Sequence, residues 1–144
     1  MWLLHDYVTE VGTMNFFVYW KNENGEDELV TPPLDGTILP GITRKSLISL
    51  MTDLNEFKVS VREFKIQDLV KAVREKRVYE AFGAGTAAIV SPVASFNYEG
   101  EVFDIPIEEE KGAGKLTQRA LQMMTDLQYA KVKRPEWQIP VCDA

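Results

Sequence analysis

At 144 residues, 45% of them hydrophobic and 26% charged, the chain has the size and balance of one globular domain. It has neither the polarity of a disordered segment nor an apolar run long enough to cross a bilayer. A net charge of −6 argues against nucleic acid as a partner. Cys142 is the only cysteine and His5 the only histidine, which excludes an internal disulfide and a thiolate zinc cluster and leaves little for a histidine-rich metal site or a Ser-His-Asp triad.

Taken in chain order, Trp2-Leu3-Leu4 is too short and lacks the basic flank of a signal peptide, and His5 reads as a surface residue of a frayed terminus. Residues 15–19 are strand formers, 22–25 a turn and 28–31 a returning strand, which together form a hairpin signal closed by Pro32-Pro33 and Leu34-Asp35-Gly36. Leu47, Leu50, Met51 and Leu54 recur at helical spacing and predict a helix over 43–54 behind Gly41. The alternation over 58–62 predicts a strand, and Leu69, Val70 and Val73 a second helix over 66–76. A short apolar strand over 78–82 runs into Gly83-Ala84-Gly85, and strands over 87–90 and 94–98 follow. After the Glu99-Gly100 turn, residues 101–107 return as a strand. Glu108-Glu109-Glu110 reads as a solvated loop, and a last helix over 114–129 buries Leu116, Ala120, Met123, Met124 and Leu127. This order predicts an α+β fold: a mostly antiparallel sheet packed with helices.

Three segments combine glycine with polar groups at the end of an ordered element: Glu10-Val-Gly-Thr13, Gly41-Ile-Thr-Arg44 and Gly83-Ala-Gly-Thr-Ala-Ala88. Each has a purely structural alternative. Glu10 can be an exposed edge carboxylate, Thr43 a helix cap, and 83–88 a tight strand connection. The functional alternatives are a buried acid with a partner, a phosphate cradle of free helix-start N–H groups, and a place where a ligand reaches the backbone. Residues 83–88 carry neither the Walker lysine nor the dinucleotide fingerprint.

Taken together, Glu10, Thr13, Asn15, Phe16 and Phe17, then Leu29-Val-Thr31, then Leu39-Pro-Gly-Ile-Thr-Arg44 resemble the signature of class IV pyridoxal-phosphate aminotransferases. Val30-Thr-Pro-Pro-Leu-Asp-Gly36, Ile38-Leu-Pro-Gly41, Gly85-Thr-Ala87 and Ser91-Pro-Val93 are similar to the branched-chain amino-acid aminotransferases within that class, and the resemblance runs through to Trp137. It implies the large C-terminal domain of a fold-type IV enzyme, with pyridoxal 5′-phosphate as cofactor, and amino and 2-oxo acids as substrates. It also implies a homodimer in the full-length form and a cytoplasmic or mitochondrial location. It gives Glu10 to the ring nitrogen, Ile42, Thr43 and Thr86 to the phosphate, and Ala87 and Ala88 to the substrate carboxylate. Thr13 and Met14 would border the aliphatic pocket.

Two departures accompany the resemblance. The Cys-x-x-Cys redox pair of some animal members falls on Ala88 and Ser91, so thiol regulation of that kind has no residues here. The family's Schiff-base lysine precedes the Glu-Val-Gly-Thr segment, whereas Lys21, Lys45, Lys58, Lys65, Lys71 and Lys76 all follow it. The expectation is therefore a partial large domain over 1–144, without the smaller N-terminal domain and inactive alone. The alternatives are a non-catalytic relative serving as an interaction module, and a class IV enzyme for a D-amino acid or aminodeoxychorismate.

Overall fold

In the run Met14-Asn-Phe-Phe-Val-Tyr-Trp-Lys21, residues 16–20 are apolar at consecutive positions, which a strand can bury only when both its faces are covered. The computed structural model, which describes residues 1–108 and 110–139, has that arrangement. Along the chain lie β1 (Leu3–Leu4), β2 (Tyr7–Val8), β3 (Glu10–Val11), β4 (Met14–Lys21), β5 (Asp27–Thr31), α1 (Ile42–Leu54) and β6 (Lys58–Val61). These are followed by α2 (Ile66–Arg74), β7 (Val78–Gly85), β8 (Ile89–Pro92), β9 (Ser95–Tyr98), β10 (Glu101–Asp104) and α3 (Lys115–Gln128). The main sheet runs β6-β5-β4-β7-β8, with β3 also paired to β4. Every pairing in it is antiparallel except β5 with β6, which α1 joins as a parallel crossover.

Side chains alternate along β4, so Phe16, Val18 and Trp20 enter one core with Phe64, Leu69 and Phe103, under α2 and the β9–β10 hairpin. Phe17 enters the other core with Leu47, Met51, Phe82, Ala120 and Met124, under α1 and α3. The expected fold class is the one observed. Element boundaries move by up to three residues, the strand expected over 101–107 ending at Asp104, and the short strands β1, β2 and β3 were not expected; one difference matters for the site. Gly83-Ala84-Gly85 is not a connection after β7 but its last three residues, all paired with β8 and the first two also with β4. The strand expected over 87–90 accordingly starts at Ile89, leaving residues 86–88 as the turn.

His5 does not belong to a frayed end. With Asp6 it makes the tight turn between β1 and β2, both residues having positive φ (49° and 69°). Thr9 and Trp2 then tie the hairpin back: Thr9 N donates to Trp2 O at 3.0 Å, and Trp2 Nε1 to Gly12 O at 2.7 Å. Glu109, Cys142 and the end of the tail past Ile139 lie outside the described residues.

Candidate functional site

The antiparallel register sets the start of β4 beside the end of β7, with Asn15 opposite Ala84. Met14 thus lies over Gly83 and Gly85, and a Cβ at Gly83 would stand 2.8 Å from Met14 Cε. The two glycines give the thioether room that any side chain would take. On the other flank of β4, Glu10 pairs across the ladder with Asn15. Glu10 Oε1 accepts from Leu39 N at 3.1 Å and from Asn15 Nδ2 at 3.3 Å, and Asn15 Nδ2 also donates to Leu39 O at 2.9 Å. These bonds tie the β3–β4 hairpin to the 39–41 turn that leads into α1.

Gly41, with extended dihedrals, is the N-cap of α1, and no side chain caps that end. The structure therefore corrects the structural alternative for Thr43. It sits inside the first turn and its hydroxyl donates to Gly85 O at 3.3 Å, linking α1 to the end of β7. The first-turn amides of α1 have no intrahelical acceptor, and the Thr43–Gly85 bond places that helix start beside the 86–88 turn. Thr86, Ala87 and Ala88 form that turn and are exposed, as is Thr13, whereas Met14 and Glu10 are half-buried. Next to the turn, Ile89 has φ 57°, a left-handed conformation that a β-branched residue adopts only under strain.

All eight residues singled out from the sequence therefore belong to one end of one sheet. Thr13, Met14, Ile42, Thr43, Thr86, Ala87 and Ala88 surround it, and Glu10 reaches it through Leu39 and Asn15. They form an open face rather than a closed cavity. The nearest recess, about 530 Å³, is lined by Ile42, Thr43, Lys45, Met124 and Trp137 and includes neither Glu10 nor Met14. Leu39 and Ile42 stand out from this face at 72% and 77% exposure. Lys45, Lys58, Lys65, Lys71 and Lys76 are exposed and Lys21 is half-buried; Lys21 and Lys58 are paired with Asp27 and Glu26.

Sequence reasoning missed two residues here. Asn15 was visible only as a motif position. Arg44, on the first turn of α1, is 5% exposed; its Nη2 donates to Pro32 O at 2.8 Å, and Nε has no acceptor among the described residues. Burial lowers its pKa from the usual arginine value. The apolar spacing of α1 marks the face on which Arg44 lies, but an arginine on such a face reads as a snorkelling surface residue until the contacts are seen.

This fold is shared with solved aminotransferases. The crystal structure of Escherichia coli branched-chain amino acid aminotransferase matches with a TM-score of 0.66 and 26% identity, over 92% of this chain and 37% of that one. An aminotransferase from Brucella abortus bound to the co-factor PLP matches with a TM-score of 0.60 and 25% identity, over 88% of this chain and 37% of that one. The amino-transferase class IV family matches residues 1–96, and the chain belongs to that family. A branched-chain-amino-acid aminotransferase of Dictyostelium discoideum is 52% identical over 98% of this chain. A cytosolic one of Rattus norvegicus is 49% identical over 95% of it. The chain spans 37% and 33% of the lengths of these two relatives. Among the described residues no helix is long and apolar enough to cross a membrane.

Proposed function

We propose that this chain is the cofactor-holding part of a pyridoxal-phosphate-dependent branched-chain aminotransferase, which exchanges the amino group of leucine, isoleucine or valine with 2-oxoglutarate. What carries the reading is the meeting of Glu10, the open start of α1 and the 86–88 turn at one end of the sheet, through the Glu10–Leu39 and Thr43–Gly85 hydrogen bonds. The residues fit the cofactor. Both hydrogen bonds to the Glu10 carboxylate fall on Oε1, so among the described residues Oε2 accepts none and is available to a ring N–H. The uncapped amides of Ile42 and Thr43 suit a phosphate dianion.

When bound, pyridoxal phosphate supplies an electron sink for the pair released at the substrate Cα. Glu10 keeps a proton on the ring nitrogen, Ile42, Thr43 and Thr86 hold the phosphate, and the amides of Ala87 and Ala88 receive the substrate carboxylate. Met14, fixed over two glycines, and Thr13 border the aliphatic side chain. The Schiff-base lysine, the smaller domain and the second wall of the pocket are assigned to the part of the relatives' length that this chain does not span. On this reading the chain is a portion of the large domain, with little activity by itself, and the complete enzyme is a homodimer in the cytosol or mitochondrion.

Titrating the chain with pyridoxamine 5′-phosphate, which needs no lysine, tests the site. Glu10→Ala is expected to weaken binding roughly tenfold, the loss of one charge-assisted hydrogen bond, and Thr43→Val to weaken it by releasing the Thr43–Gly85 bond that sets the start of α1 against the 86–88 turn. Equal affinity in the parent and both variants would remove the basis of the reading.

A further inference from the structure

We propose that Asn15 is a positioning residue that aims the Glu10 carboxylate, holding Oε1 so that Oε2 is turned to the cofactor ring; this rests on the function proposed above. Asn15 is 5% exposed and sits directly across the ladder from Glu10, on the same face of the strand pair. Its two neighbours on the amide nitrogen side, Leu39 O at 2.9 Å and Glu10 Oε1 at 3.3 Å, are both acceptors. Only the –NH2 group can face them, so the amide orientation is determined by chemistry. Oδ1 then points at Gly41, where a Cβ would collide with it. The glycine before α1 thus leaves the room in which this amide sits.

A clamp that merely held the turn would need only the Leu39 bond. The second N–H is given to a carboxylate oxygen that Leu39 N already engages at 3.1 Å. Two donors on one oxygen fix the carboxyl plane about its terminal torsion, which is otherwise broad. Asn15 therefore acts through Glu10, and it couples that carboxylate to the 39–41 turn that opens α1.

The test uses the full chain saturated with pyridoxamine 5′-phosphate labelled with ¹⁵N in the ring, following the ring-nitrogen titration by ¹⁵N NMR and phosphate occupancy by ³¹P NMR. In Asn15→Ala the ring-nitrogen midpoint is expected to fall by about one pH unit toward that of the free probe, with the bound phosphate signal retained. Asn15→Ser is the second variant and should behave alike. A midpoint unchanged in both variants while Glu10→Gln lowers it overturns this inference and leaves the proposed function standing. A midpoint unchanged in Glu10→Gln as well, or a parent chain that binds no probe, overturns the proposed function itself. Asn15 variants that fold but lose the phosphate signal, or that do not fold, make Asn15 a structural residue and overturn the inference.

Discussion

A single buried carboxylate shows how much of this molecule depends on contacts between distant positions. Glu28 on β5 is 1% exposed; its oxygens accept from Arg62 Nε at 3.0 Å, Arg62 Nη2 at 2.8 Å and Trp20 Nε1 at 2.9 Å. Burial pushes its pKa up, but hydrogen bonds from Arg62, Ser60 and Trp20 outweigh that and hold it at about 2, against an ordinary 4.5. A carboxylate depressed in the folded state stabilises the fold fully above its unfolded pKa, and the contribution drains away as pH falls toward the folded one. Unfolding free energy, read from urea midpoints, is therefore expected to drop by about 3 kcal/mol from this group as pH falls from about 4.5 to about 2. In Glu28→Gln that part of the slope should vanish, and neutral-pH stability should fall by about 3 kcal/mol because the guanidinium loses its partner. None of this was legible: Glu28 reads as the polar start of a strand, and Arg62 lies too far along the chain for any local pattern to join them.

Among elements, the helices were read well from apolar spacing, and their ends less well. Helix α2 ends in a Schellman turn, with Lys76 N bonded to Val73 O at 3.0 Å and Arg77 N to Ala72 O at 2.8 Å. Lys76 occupies the left-handed position, φ 54°, where glycine is usual. Lys76→Gly is expected to raise the unfolding free energy by about 0.5–1 kcal/mol, measured by chemical denaturation, since the exposed lysine gives up strain and little packing. Helix α3 starts on a cap that its own sequence does not contain. Glu80, on β7, accepts from Leu116 N, Thr117 N and Thr117 Oγ1, each at 2.8 Å, and a Cβ at Gly114 would collide with that carboxylate. Local capping rules look for such a partner within a few residues, so a cap supplied from a strand is invisible to them. Thr43 fails as a cap for the complementary reason: Gly41 ends the extended segment first, and the threonine hydroxyl is taken by Gly85.

On the scale of the whole molecule, the alternation of strand and helix patterns was enough for the fold class, and the motif residues were enough to point to one end of the sheet. The strand order was not legible. The parallel β5–β6 pairing depends on the crossover through α1, and the continuation of β7 through its glycines depends on having partners on both sides. Both cores share β4 and β7, since Phe16 and Ala81 face one while Phe17 and Phe82 face the other. The two cores should thus open as one unit. Hydrogen exchange is expected to be slowest, and uniform in its denaturant dependence, at the amides of 16–18 and 81–83. Separate protection limits on the two faces would show instead two independent units.

Arg44 bears on how a ligand arrives. With a net charge of −6, the chain repels anions at long range, more strongly in dilute salt. Beneath the uncapped start of α1, an embedded guanidinium with no carboxylate paired to it among the described residues reverses that sign locally. A phosphorylated visitor therefore meets a barrier at a distance and a well at contact. Raising ionic strength lowers the barrier while barely reaching the well, so capture quickens with salt up to the point where competing anions fill the spot.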